Sequence, residues 1–262
     1  MRRRRGAGLS AEPGPRQRIG CGSGRAVLID IRTISETVST NADMKALAED
    51  GAGEGTWLRV ERQSGGRGRL GRDWESPAGN LYCSTLVRAR PGDPAPPSLA
   101  LVTAIAVHKA IDALLPGRTQ IKWPNDIMAG PAKLCGMLLE RTGDAIIIGI
   151  GVNVMAHPEI PGRATTSLWA LGAVDSTAAT LLDAIAPAFA DAVHSWRTYG
   201  LDPIRARWIA AAHPPGTPLR VSLPDGEVVE GRFDDLSSGG ELILRLDNGT
   251  TRAIHAGDVF LV

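Results

Sequence analysis

Residues 62 to 72 read Arg-Gln-Ser-Gly-Gly-Arg-Gly-Arg-Leu-Gly-Arg, four arginines and four glycines with no acid, and lead into Asp73-Trp74-Glu75-Ser76-Pro77. Glycine lets backbone N–H groups approach a ligand closely, and each guanidinium offers a planar, permanently charged fork that matches phosphate or carboxylate. The chemistry this predicts is capture of a small, multiply charged anion; the plain alternative is a solvated basic loop. Gly66, Gly68 and Gly71 also satisfy the spacing G-x-G-x-x-G. A dinucleotide turn, however, opens directly into a helix and meets an acid about 20 positions later at a strand end. Here Asp73 through Gly79 intervene and the next acid, Asp93, lies in a Pro/Gly-rich stretch, so that reading is set aside.

A second chemical segment is Ile121-Lys122-Trp123-Pro124-Asn125-Asp126-Ile127, followed by Lys133-Leu134-Cys135-Gly136 and onward to Glu140. Only four of the 29 basic residues are lysines (Lys45, Lys109, Lys122, Lys133), and two of them fall here. A compact ammonium on a flexible stem suits contact with one oxygen at a time. Pro124 should end a strand so that Asn125 and Asp126 project, where a carboxamide can read a base edge and a carboxylate can hold Mg²⁺; an Asx turn is the alternative.

Alternating strand-like and helix-like spacing before about residue 212 predicts a mixed α/β domain to position these groups. Strands are expected at 56–60, 80–87, 120–123, 134–140 and 145–149. Ser39-Thr40-Asn41 should cap a short helix bearing Met44, Leu47 and Ala48, Ser98 a helix with Leu99, Val102 and Ile105, and Ser176 a long helix kinked at Pro187. After Pro214-Pro215-Gly216 the texture changes to short β-like runs near 219–223, 228–233, 242–246, 250–254 and 259–261, broken by turn residues.

The bulk numbers set the class. At 262 residues and 43% hydrophobic, the chain can bury a substantial core. Net charge is +1, but seven arginines against Glu12 in residues 1–25 leave residues 26–262 at −5, which disfavours a polynucleotide partner. Residues 1–26 are expected to be a disordered basic tail, without the apolar run of a secretory signal. No stretch has the length of a membrane span, and Cys21, Cys83 and Cys135 form no CxxC pair, which points to a reducing, cytoplasmic setting.

Taken together and in order, Ser39-Thr40-Asn41, Gln63 through Arg72 with Trp74, Lys122 to Asp126, Lys133 to Glu140 and Gly149-Ile150-Gly151-Val152-Asn153 resemble the biotin–protein ligases. The resemblance runs from about residue 34 to the C-terminus. It implies an α/β catalytic domain of the class II synthetase-like type, with a mixed sheet and flanking helices, over 27–213, and a small SH3-like barrel over 214–262. Too little sequence precedes Ser35 for the winged helix-turn-helix of repressor members, so a monofunctional ligase without DNA binding is expected. By position, Ser39, Thr40, Asn41 and Gln63 would bind the biotin ring and its flanks, and the loop of Gly66, Arg67, Gly68 and Arg69 would fold over biotin and its adenylate. Lys133 would meet the biotin carboxyl and the bridging oxygen. ATP would be held by Arg67, Arg69, Arg72, Trp74, Lys122, Asn125 and Asn153. Arg69, Lys133 and Asp126 stand as the catalytic set, Asp126 either as base or as Mg²⁺ ligand. ATP and biotin are the implied substrates, and the implied partner is the biotin carboxyl carrier protein of acetyl-CoA carboxylase or a related carboxylase, with a homodimer left open. The sister reading is a lipoate–protein ligase, which needs an apolar slot where this chain has polar groups. A nucleic-acid-binding module is the reading from another class.

Overall fold

The computed structural model describes residues 16–20 and 26–261. Eight strands form the first sheet: β1 (Arg16–Gly20), β2 (Ala26–Thr37), β3 (Thr56–Gln63), β4 (Leu81–Arg88), β5 (Gln120–Lys122), β6 (Asp126–Ala129), β7 (Ala132–Thr142) and β8 (Ala145–Val152). Their spatial order is β1-β2-β3-β4-β8-β7-β6-β5, with β2 and β3 parallel and the other neighbours antiparallel, so the sheet is mixed as expected. Helices α1 (Thr40–Glu49), α2 (Leu99–Asp112), α3 (Ala178–Tyr199) and α4 (Asp202–Ala211) accompany it.

Strand side chains alternate between faces, and here the alternation separates packing from chemistry. On β4 and β8, Leu81, Cys83, Val87, Ile146, Ile148 and Ile150 point to the large core, which also takes the apolar faces of α2 and α3. The opposite face carries Leu86, Ala145 and Ile147 beneath Met44 and Ala48 of α1. Along that same face lie Tyr82, Ser84, Gly149 and Gly151, so α1 and the candidate site share one side of the sheet.

A second, antiparallel sheet follows: β9 (Pro218–Ser222), β10 (Val228–Leu236), β11 (Leu242–Arg245), β12 (Thr251–Ile254) and β13 (Asp258–Leu261), ordered β12-β11-β10-β9-β13. Its buried residues join the large core without a break, and Trp208 of α4 meets Phe233 of β10 edge to face at 6.3 Å. Trp123 Nε1 donates to Gly240 O at 3.2 Å, tying the strip around Lys122 to the same module.

Several expectations change in detail. Residues 16–20 are a strand paired to β2 and Ala26 opens β2, rather than part of a disordered tail; residues 1–15 and 21–25 lie outside the described residues. Ser98 stands at the N-cap of α2 as expected, but its hydroxyl does not cap the helix: it donates to Ala95 O and accepts from Trp196 Nε1. Thr177, not Ser176, caps α3, through a reciprocal capping box with Thr180, and α3 runs on through Pro187. At α1 the first N–H, on Thr40, goes to Gln63 Oε1 at 2.8 Å, so the cap comes from the end of β3 and not from the Ser39 hydroxyl.

Candidate active site

A cavity of about 410 Å³ opens on the α1 side of the sheet, within the size range of small-molecule sites. Its inner end is polar and uncharged at the surface, and a chain of hydrogen bonds fixes its orientation. Asn41 Nδ2 donates to Glu140 Oε2 at 2.6 Å, while Ser84 Oγ lies 2.7 Å from Asn41 Oδ1 and 2.8 Å from Thr40 Oγ1. Thr40 Oγ1 in turn reaches Gln63 Oε1 at 3.1 Å, and Gln63 Nε2 donates to Ser76 Oγ at 3.1 Å, which donates to Trp74 O. Ser39, Thr40 and Asn41 are all buried, so each amide and hydroxyl here has a preset direction for a polar ring.

Glycines make the middle of the cavity. Gly136 of β7 and Gly151 of β8 are register partners, and the indole of Trp74 lies on them: a Cβ at Gly151 would stand 2.6 Å from the ring, and one at Gly136 would stand 2.8 Å from it. Similarly, a Cβ at Gly149 would be 2.4 Å from Asn41 Oδ1. Lys133 Nζ sits 5.4 Å from the centre of the Trp74 ring, within cation–π range.

The outer end is cationic. Arg67, Arg69, Arg72, Lys122, Lys133 and Arg163 line it against only Asp73, Asp126 and Asp258, an excess of three positive charges. Lys133 Nζ is 2.6 Å from Asp126 Oδ1 and Lys122 Nζ is 3.4 Å from Oδ2, so one carboxylate is shared by two ammonium groups. Burial pushes the Asp126 carboxyl up, but Lys133 and Lys122 outweigh it and hold it below the usual carboxylate range. Burial lowers Lys122 and Arg69, with Asp126 opposing in both cases. Arg72 is lowered by burial and then by the neighbouring charges of Arg163 and Arg69.

The last strand roofs this end. Both terminal nitrogens of Arg69 donate to Gly257 O at 3.3 Å, Arg72 pairs with Asp258, and Lys122 Nζ donates to Val259 O at 3.0 Å.

Residues 33–153 match the Biotin/lipoate A/B protein ligase family, and residues 218–262 match the Biotin protein ligase C terminal domain. A biotin–[acetyl-CoA-carboxylase] ligase of Paracoccus denitrificans is 36% identical over 242 residues, 87% of this chain and 98% of that protein. The chain belongs to the biotin protein ligases. The ligase of the same name from Mycobacterium tuberculosis is 34% identical over 249 residues, covering 93% of this chain and 92% of its own. Among solved structures, the Aquifex aeolicus biotin protein ligase in complex with biotin and ATP superposes with a TM-score of 0.79 at 25% identity, covering 88% of this chain and 99% of that one.

Within this biotin protein ligase fold, the cavity gathers Ser39, Thr40, Asn41, Gln63, Arg67, Gly68, Arg69, Arg72, Trp74, Lys122, Asn125, Asp126 and Lys133. Two expected residues are not brought to it. Asn153 is buried at the end of β8, its Nδ2 donating to Thr166 O at 2.9 Å, and it serves the strand connection instead of a base edge. Gly66 stands behind the lining, where a Cβ would meet Trp74 O at 2.4 Å; its bareness lets the loop double back, with Trp74 N donating to Gly66 O. Asn125 lines the cavity, but its Nδ2 goes to Met137 O and its Oδ1 accepts from Arg69 at 3.4 Å, so it pins β7 and the arginine loop. Ser84, Ser76 and Arg163 carry no motif signal of their own, and Glu140, though it ends one of the segments behind the resemblance, was given no role. Ser84 and Glu140 fall on the site face of their strands by the period-two rule, which is the signal that could have found them. Cys83 and Cys135 are buried in the large core, where burial raises both thiols, and neither borders the cavity.

Proposed function

We infer that this chain joins biotin to ATP, forming biotinyl-5′-AMP, and then transfers the biotinyl group to a lysine of a carboxyl carrier protein. The observation that carries this reading is one cavity with two unlike ends: a buried, uncharged hydrogen-bonding floor at Thr40, Asn41 and Gln63, and an outer end with three unbalanced positive charges, with Lys133 between them. A ureido ring fits the first and a nucleoside triphosphate the second. The names of the Paracoccus and Aquifex relatives agree with both substrates.

The first step brings a carboxylate against a phosphate although both are negative. Lys133 would hold the carboxylate beside the α-phosphorus, and Arg67, Arg69 and Arg72 would stabilise charge on the phosphoryl oxygens as the new O–P bond forms and diphosphate leaves. In the second step the neutral amine of an acceptor lysine attacks the acyl carbon, the acyl–oxygen bond breaks, AMP departs with the negative charge, and the amine gives up one proton to solvent as the amide forms. Neither step needs a covalent enzyme intermediate, in keeping with cysteines that sit in the core. Asp126, held between Lys122 and Lys133, would act as the counter-ion that aims both ammonium groups. Among the described residues no group of three or more His, Cys, Asp or Glu converges. This fits Mg²⁺ that arrives on the phosphates of ATP, where it would neutralise the departing diphosphate. Among the described residues no helix is long and apolar enough to cross a membrane, and the two described cysteines are free thiols; both facts agree with a cytoplasmic enzyme acting on a soluble carrier domain.

The test is ATP/pyrophosphate exchange on the purified chain with Mg²⁺ and, in parallel, biotin, lipoate, octanoate or no acid. Exchange that depends on biotin alone is the expected result. Exchange driven by lipoate or octanoate moves the reading to the sister activity, and exchange with none removes it.

A further inference from the structure

Of the six cations at the outer end of the cavity, four have a partner within the chain. Lys122 and Lys133 share Asp126, Arg72 pairs with Asp258, and Arg69 donates to Gly257 O and Asn125. Arg67 and Arg163 border the same space and are both exposed, and among the described residues neither guanidinium pairs with an acid or donates a hydrogen bond; Arg67 belongs to the arginine–glycine loop, whereas Arg163 comes from a separate one. The backbone around Arg163 shows why it stays there. Arg163 N donates to Ile160 O at 3.0 Å, closing a tight turn in which Gly162 takes a φ of 73°. Immediately after the turn the chain is fastened to β7 on both sides of Lys133: Lys133 N donates to Ala164 O at 2.9 Å, and Thr166 N donates to Lys133 O at 3.0 Å. The Thr165 hydroxyl closes the base of the loop onto Pro158 O. A loop anchored at Lys133 therefore holds an unpartnered guanidinium at the cavity mouth, on the side of Arg72 and Lys122, both of which feel its charge.

Three like charges brought together by a fastened loop, without an internal acid for the third, define a place for an anion with more than one charged group. On the proposed reaction, Arg67, Arg69 and Lys133 serve the carboxylate and the α-phosphate. We propose that Arg163 binds the β- and γ-phosphates of ATP, together with Arg72 and Lys122, and holds the diphosphate as the bond between the α-phosphorus and the bridging oxygen breaks. Arg163 is thus a substrate-binding residue specific to the first half-reaction. This rests on the adenylation reading of the site.

The experiment compares the full-length protein with Arg163→Ala and Arg163→Lys variants. Inorganic pyrophosphate and ATP are titrated into each by calorimetry, and the same preparations are assayed for ATP/pyrophosphate exchange and for transfer from preformed biotinyl-5′-AMP to a carrier domain. Loss of one charge-assisted contact should weaken pyrophosphate and ATP binding in Arg163→Ala roughly 10-fold or more, with partial recovery in Arg163→Lys. KM for biotin and the transfer rate from preformed adenylate should stay at wild-type values, which a general folding defect would not allow. Unchanged pyrophosphate and ATP affinity overturns the proposal, as does an equal loss in both half-reactions. Absence of exchange in the wild-type protein would refute the adenylation reading instead, and the pyrophosphate titration would still decide the role of Arg163.

Discussion

Arg69 holds two neighbours at once: its guanidinium reaches Gly257 O in the C-terminal module and Asn125 Oδ1 at the start of β6. Removing it opens the joint between loop and roof as well as taking a charge from the phosphoryl group. Arg69→Gly should therefore retain adenylate synthesis at a reduced rate while releasing biotinyl-5′-AMP into solution, detected as biotin on bystander proteins that carry no acceptor motif. A variant that makes no adenylate, or makes it without extra bystander labelling, would show that Arg69 does not retain the intermediate. At this scale the sequence was informative where chemistry is written in residue type. Arg67, Gly68, Arg69 and Arg72 of the arginine–glycine run, the paired lysines and Trp74 all line the cavity, while Arg62 and Gly66 do not. Asn153 was misread because an amide at a strand end looks the same whether it faces a ligand or, as here, a neighbouring carbonyl. Arg163 was invisible because a single arginine in a polar loop has no pattern, and only the fold brings it to Arg72.

Strands β7 and β8 build the bed of the site by omission, leaving bare backbone at Gly136, Gly149 and Gly151 where Trp74 and Asn41 press in. A methyl group at Gly151 would overlap the indole, so Gly151→Ala should dislodge Trp74 and raise KM for ATP at least several-fold, with a stability cost of about 1–3 kcal/mol from overpacking. Steady-state kinetics beside a chemical melt would separate the two effects; an unaltered ATP dependence would mean that Trp74 has no part in nucleotide binding. The five C-terminal strands and five of the first sheet were legible because period two and turn residues coincide there. Strand β6 was not, since its four residues follow Asn125 directly and Asp126 reads as turn chemistry. Helix α4 was missed because its apolar contacts, Ile204 and Trp208, are too few to mark a periodic stripe. The G-x-G-x-x-G spacing was rightly discounted, as its last three residues, Arg69–Gly71, form a 3-10 turn and the chain leaves it in extended backbone at Arg72 instead of opening into a helix.

In the whole molecule, Phe233, Leu219 and Val259 of the C-terminal module pack against Trp208 of α4 and the strip that carries Lys122, with His213 at the seam and only 9% exposed. Burial, assisted by the nearby charge of Lys122, lowers His213 from its ordinary 6.5. The unfolded chain thus takes up the proton first as pH falls, so the stability associated with the neutral imidazole is complete above about 6.5 and is lost as pH drops through the folded value. Unfolding free energy measured from pH 7.5 to 5 should fall more steeply in the wild type than in His213→Gln; equal slopes would show that the seam does not disfavour the charged ring. The joint itself was beyond sequence reading, because the contact of Arg69 with Gly257 spans 188 positions and leaves no local trace. The roof over the phosphate end also has a thermal consequence. Because the module's buried residues continue the large core, the roof cannot lift without opening that core, so turnover and the folded signal of the eight-stranded body should be lost together in one thermal transition.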